Sequence, residues 1–195
     1  QVCCPLTARG PDHEMPLVIV SFYRSYITAA DLKPVAALFT ALRKKGFAVM
    51  GLFVPSLKAP GAACWLAGQI LHFKPVCIVN ATTGAGKVPE YSRLPTSVSR
   101  AAGLNLTKSL ANEFAKDKIR VNAICIGKIK SAQWERRSKE QNLEKYYQEL
   151  GKNIPLGRFG EAEEYADLVA FLVSARASYI TGASINLDGG LCPAV

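Results

Sequence analysis

Apolar residues along this chain fall into two rhythms. The run Leu17-Val18-Ile19-Val20-Ser21-Phe22 is continuous rather than alternating, the pattern of a strand covered on both faces of a parallel sheet. After it, Val35, Leu38, Phe39 and Leu42 recur at helical spacing and predict a helix capped near Thr28 or Asp31 that stops at Gly46. The same reading predicts a strand over 47–54, a helix over 61–73 and a strand over 76–81. In the second half it predicts a helix over 95–115, a strand over 120–125, a helix over 161–174 and a last strand over 184–187. Residues 131–150 read as irregular and partly helical, and residues 1–15, with Pro5, Gly10 and Pro11, as an irregular arm.

Strands alternating with helices predict one α/β domain over 1–195, a three-layer doubly wound parallel sheet of Rossmann-like or flavodoxin-like type with five strands. At 195 residues, 49% apolar and 20% charged, the chain can bury a real core. No apolar run approaches the roughly 20 residues that span a bilayer, and residues 1–10 lack the pattern of a signal peptide. No membrane partner and a cytoplasmic location are therefore expected. The six cysteines (Cys3, Cys4, Cys64, Cys77, Cys125, Cys192) form no Cys-x-x-Cys pair, and only His13 and His72 could assist them. Free thiols and no metal site follow. The net charge of +9 is spread along the chain, and Arg43-Lys44-Lys45 reads as the basic last turn of a helix. Without a basic stripe interleaved with aromatics, no nucleic-acid partner is expected.

Three groups of residues then carry a resemblance. Leu104 with Thr107-Lys108-Ser109-Leu110-Ala111, Ile119-Arg120-Val121-Asn122-Ala123-Ile124, and Tyr179-Ile180-Thr181-Gly182 through Asp188-Gly189-Gly190 stand in the order and spacing of a short-chain dehydrogenase. Residues 78–195 thus resemble the C-terminal half of that family. The resemblance implies a catalytic Ser at the end of the 76–81 strand and, thirteen residues on, the Tyr of a Tyr-x-x-x-Lys motif. Those positions hold Thr83, Thr96 and Arg100. In the family the Tyr phenol exchanges a proton with the substrate oxygen, the Lys lowers its pKa and holds the nicotinamide ribose, and the Ser positions the carbonyl. An aliphatic hydroxyl at Thr96 is far too weak an acid for the phenol's task, and Arg100 keeps the charge without the compact ammonium. None of the seven tyrosines has a Lys four residues on, and Ile126-Gly127 stands where the family has Pro-Gly. No residue is expected to be catalytic.

The first half reads differently. No glycine-rich turn follows the first strand; the loop is Tyr23-Arg24-Ser25-Tyr26-Ile27-Thr28. Phe22-Tyr23-Arg24-Ser25, Phe53 through Pro60, and Ala63-Cys64-Trp65-Leu66 resemble the large, cobalt-inserting subunit of cobaltochelatase over residues 16–82, although that family's His is Tyr26 here and its Asp is Ala59. Both resemblances claim the strand at 76–81. They imply a composite, natural or engineered, with strand order 2-1-3-4-5, and the expectation of a chimeric α/β scaffold without activity of its own. The alternatives are a diverged NAD(P) oxidoreductase of the short-chain type and a cobalt- or tetrapyrrole-binding fragment.

In a 2-1-3-4-5 sheet a crevice opens at the carboxyl ends of strands 1 and 3. Arg24, Ser25, Thr28, Thr82 and Thr83 then form the candidate binding set, suited to a small anion. No cofactor is expected on this reading, with NAD(P) as the alternative. Gly84-Ala85-Gly86-Lys87 fails the phosphate-loop patterns and reads as a flexible turn, and Asp188-Gly189-Gly190 as a structural turn. The helix over 95–115 corresponds to one that such dehydrogenases use for dimerisation, so a homodimer is the partner the resemblance implies.

Overall fold

The computed structural model describes residues 6–7, 15–21, 33–52, 61–89, 91–138 and 142–194. Among them the chain runs through β1 (Leu6–Thr7), β2 (Leu17–Ser21), α1 (Lys33–Lys44), β3 (Ala48–Leu52), α2 (Ala62–Phe73) and β4 (Cys77–Thr82). It continues through α3 (Leu94–Phe114), β5 (Arg120–Ile126), α4 (Ala132–Arg137), α5 (Leu143–Gly151), α6 (Ala162–Val173) and β6 (Ser184–Leu187). The sheet order is β1-β3-β2-β4-β5-β6. Its five main strands are parallel and follow the expected 2-1-3-4-5 order, with Val18 opposite Cys77 and Val20 opposite Val79 where β2 pairs with β4.

Why the strands read as unbroken apolar runs is visible in the packing. Val18, Val20, Val49, Cys77 and Val79 face α1 and α6 through Leu38, Leu42, Val169 and Leu172. The residues between them, Ile19, Met50 and Ile78, face α2 and α3 through Leu66, Ile70, Ala111 and Phe114. With helices on both faces there is no solvent side to demand polar alternation. A smaller cluster of Tyr147, Ile154 and Phe159 lies outside the sheet, with Trp134 and Leu150 packed against it.

One expectation needs correction. The arm over 1–15 is not wholly irregular: Leu6 and Thr7 pair antiparallel with Gly51 and Met50, adding a short edge strand. Two residues carry no readable period, which is why the pattern missed it. The stretch over 131–150 is partly helical, as expected, and among its described residues holds α4 and α5. Asn142 caps α5 by accepting a 3.1 Å hydrogen bond from the Lys145 amide. The expected cap near Thr28 or Asp31 lies outside the described residues.

Candidate functional site at the carboxyl end of the sheet

The site is assembled where β4 ends. Asn80, near that end, donates from Nδ2 to Thr107 Oγ1 of α3 at 2.9 Å, and Thr107 in turn donates to the Gly103 carbonyl at 2.9 Å. This tie fixes the helix against the sheet. After β4, Thr83 is extended and a single 3-10 turn, Gly84–Gly86, follows, closed by amides of Gly86 and Lys87 on the carbonyls of Thr83 and Gly84. The turn presses on α3 so closely that a Cβ at Gly86 would stand 2.8 Å from the Arg100 carbonyl carbon and 2.9 Å from its oxygen. It is thus a packed turn rather than the flexible one expected, and glycine is required because backbone fills the space.

Thr83 is therefore held at the part of α3 that carries Arg100, and Thr96 lies one turn earlier on the same helix, within Leu94–Phe114. Thr96 is exposed and Arg100 half-buried. Of the three positions that the dehydrogenase pattern marks, Thr96 and Arg100 share α3 and Thr83 precedes the turn that packs on that helix, with a hydroxyl at the first position and no phenol at the second. Lys87 does not serve as a phosphate-loop lysine: its Nζ donates 3.1 Å to the Ser184 carbonyl at the start of β6.

Thr82 stands out chemically. Its side chain is 97% removed from solvent (3% exposed), and its hydroxyl has no hydrogen-bond partner among the described residues. An orphaned buried hydroxyl costs about 1–3 kcal/mol and marks a place where a bound polar group would be welcome. Arg24, Ser25 and Thr28, the other half of the candidate crevice, lie outside the described residues. Their chain segment begins just after β2 at Ser21, and β2 neighbours β4, as the crevice requires.

Across the sheet, the ends of β5 and β6 add groups that the sequence did not single out for a site. Asp188 accepts from the Gly190 amide at 2.9 Å and from the Cys192 amide at 2.8 Å, and Gly189 and Gly190 take φ of +64° and +88°, as the Asp-Gly-Gly turn predicts. Cys125 is fully buried, and burial pushes its thiol above the ordinary range. A shallow cleft beside this turn includes Lys128, Leu156 and Arg158, but Arg158 is engaged by Glu164 through bonds of 2.8 and 2.7 Å. No group of His, Cys, Asp and Glu able to hold a metal ion occurs among the described residues, and no helix there is long and apolar enough to cross a membrane.

A family model described as enoyl-(acyl carrier protein) reductase matches residues 51–192. The chain belongs to the short-chain dehydrogenase/reductase family. Oxidoreductase UcpA of Salmonella typhimurium is 38% identical over 118 residues, covering 59% of this chain and 44% of UcpA, so the chain spans less than half the length of that relative. The 4-hydroxyisoleucine dehydrogenase complexed with NADH is 29% identical, with a TM-score of 0.53 over 71% of this chain and 57% of that one. The ligand-free aldohexose dehydrogenase of Thermoplasma acidophilum shares the fold, with a TM-score of 0.69 at 20% identity over 93% of this chain and 95% of that one. The family match starts at residue 51, inside the segment 16–82 assigned above to a chelatase-like half. The findings carry the dehydrogenase resemblance and extend it; they do not carry the chelatase resemblance, a composite origin or the reading as an inactive scaffold.

Nicotinamide cofactors are what the family implies, and the residues present meet that group halfway. Thr82 and Thr83 offer hydroxyls at the end of β4, the first without a partner among the described residues, which fits a bound polar group. Thr96 does not fit proton exchange with a substrate, because an alkyl hydroxyl neither gives nor takes a proton near neutral pH. The arrangement fits a group that is held more than one that reacts.

Proposed function

We propose that this chain is a diverged short-chain oxidoreductase-type protein that binds an NAD(P)-class nucleotide at the carboxyl ends of β2 and β4. Hydride transfer by the family's Tyr and Lys is absent from this proposal. The observation that carries it is the orphaned Thr82 hydroxyl beside the Thr83 turn, set against α3 at Arg100. Support comes from family membership and from a relative whose structure holds NADH. Bound there, the nucleotide would supply a hydride donor. This chain's residues would hold it: Thr82 and Thr83 by hydrogen bonds, and Arg24 by charge on a phosphate. Arg24 takes over from the glycine-rich loop that is missing between Tyr23 and Thr28.

The test is a fluorescence titration of NADH and NADPH with the full chain. Saturable enhancement that weakens in Arg24→Gln is expected. A flat response would reject the proposal and leave the scaffold reading, which the glycine-free loop after β2 favours. A corrinoid titration followed by absorbance is expected to stay flat, and a saturable spectral shift would favour the tetrapyrrole-binding alternative.

A further inference from the structure

We propose that Cys125 and Cys192 form a thiol pair that low-molecular-weight disulfides, such as oxidised glutathione, convert into a reversible intramolecular disulfide. Cys125 is the penultimate residue of β5, in register with Thr82 of β4 on one side and Asn186 of β6 on the other. The terminal segment lies back over this end of the sheet and is fastened there by independent contacts. The Cys192 amide donates 2.8 Å to Asp188 Oδ2, and Asn186 Nδ2 donates to the Ala194 carbonyl at 3.4 Å. Cys192 also abuts the turn after β4: its Cβ and Sγ each stand 3.4 Å from where a Cβ on Gly84 would be, two residues beyond Thr82. Of the two residues in register with Cys125, Thr82 thus leads into the turn that Cys192 abuts, and Asn186 is bonded to the segment that holds Cys192. Charge on Cys192 also contributes to raising the Cys125 thiol.

Two other cysteines are described. Cys64 is exposed on α2, and Cys77 begins β4 at the opposite end of the sheet. Residues 188–194 belong to no helix or strand, so Cys192 can shift toward Cys125 without breaking the ladder.

Exposure orders the chemistry. Cys192 is half-buried and meets the oxidant first. Its thiolate, formed by losing a proton to solvent, attacks one sulfur of oxidised glutathione; a Cys192–glutathione bond forms and one glutathione thiolate leaves. Cys125, losing its proton, then attacks the Cys192 sulfur, the Cys125–Cys192 bond forms and the second glutathione thiolate leaves. Two cysteine thiols are oxidised and one glutathione disulfide is reduced to two glutathiones. Burial holds the Cys125 thiol high while the Lys87 ammonium opposes this, so the second step is the slow one and quickens as pH rises. The product would pin the terminal segment across the Gly84–Gly86 turn that carries Thr83.

The pair is tested on the full chain by incubation with oxidised glutathione, quenching with N-ethylmaleimide, and peptide mass spectrometry without reduction. The expected product is one cross-linked peptide joining Cys125 to Cys192, lighter than the two free peptides by two hydrogens, reversed by dithiothreitol and absent in Cys125→Ser. In that variant Cys192 should instead accumulate as the glutathione adduct. A wild-type chain that stops at the Cys192 adduct, stays fully reduced, or joins Cys192 to Cys3, Cys4, Cys64 or Cys77 would overturn the proposal. Because the wild-type measurement decides by itself, a variant that fails to fold does not shield it.

Discussion

Thr82 separates a structural from a binding role at a single atom. If its hydroxyl is buried for want of a ligand, Thr82→Val removes a desolvated polar group of nearly the same shape. The unliganded chain should then gain about 1 kcal/mol in urea unfolding while nucleotide affinity falls. Loss of both stability and affinity would show that the hydroxyl has a protein partner. Gly86 makes the opposite kind of prediction. A Cβ there meets the Arg100 backbone at 2.8 Å, so Gly86→Ala should cost about 1–3 kcal/mol, read from the same unfolding curves. The marked positions Thr83, Thr96 and Arg100 were legible because motif spacing survives substitution. The orphaned state of Thr82 was not, since it depends on what fails to approach it in space.

Helix α6 shows how elements are fastened at both ends. At its C-terminus the Arg120 guanidinium, projecting from the start of β5, donates to the carbonyls of Leu172, Val173 (2.9 Å), Ser174 (3.3 Å) and Ala177 (3.0 Å). These are carbonyls that a helix end leaves without partners, and a cation suits the negative end of the dipole. Arg120→Met should therefore cost about 1.5–3 kcal/mol by chemical denaturation. At the N-terminus, Glu164 accepts from Arg158 and from the Glu161 amide (2.8 Å), chiefly the former holding its carboxyl down at about 2. A carboxylate with a depressed folded pKa stabilises the fold above its unfolded value, and that stability is lost as pH falls from about 4.5 toward 2. Both side chains are largely exposed, so the effect is small. Arg158→Met should flatten this acid arm of the stability curve, and an unchanged slope would show that the pair is idle. The main strands and long helices were legible because period and punctuation agree with packing. The edge pair Leu6–Thr7 and the six-residue α4 were too short to show a period.

At the scale of the molecule, a sheet buried on both faces brings the ends of β4, β5 and β6 to one edge, and among the described residues that edge collects Thr82, Thr83, Cys125 and Asp188. The strand order was legible from the alternation of elements. That Asn186, in register with Cys125, bonds to the segment holding Cys192 was not, because it rests on the register between β5 and β6. Since the loop after β2 also lacks the family's glycines, restoring Thr96→Tyr and Arg100→Lys together should not produce turnover of reduced nicotinamide with carbonyl substrates. The central claim is that the family frame is kept for holding a nucleotide without reacting it. It is tested most directly by following reduced nicotinamide fluorescence as NADH or NADPH is mixed with the wild-type chain and a panel of carbonyl compounds. A saturable enhancement that does not decay is expected. No enhancement, or its protein-dependent decay as the carbonyl is reduced, would contradict it.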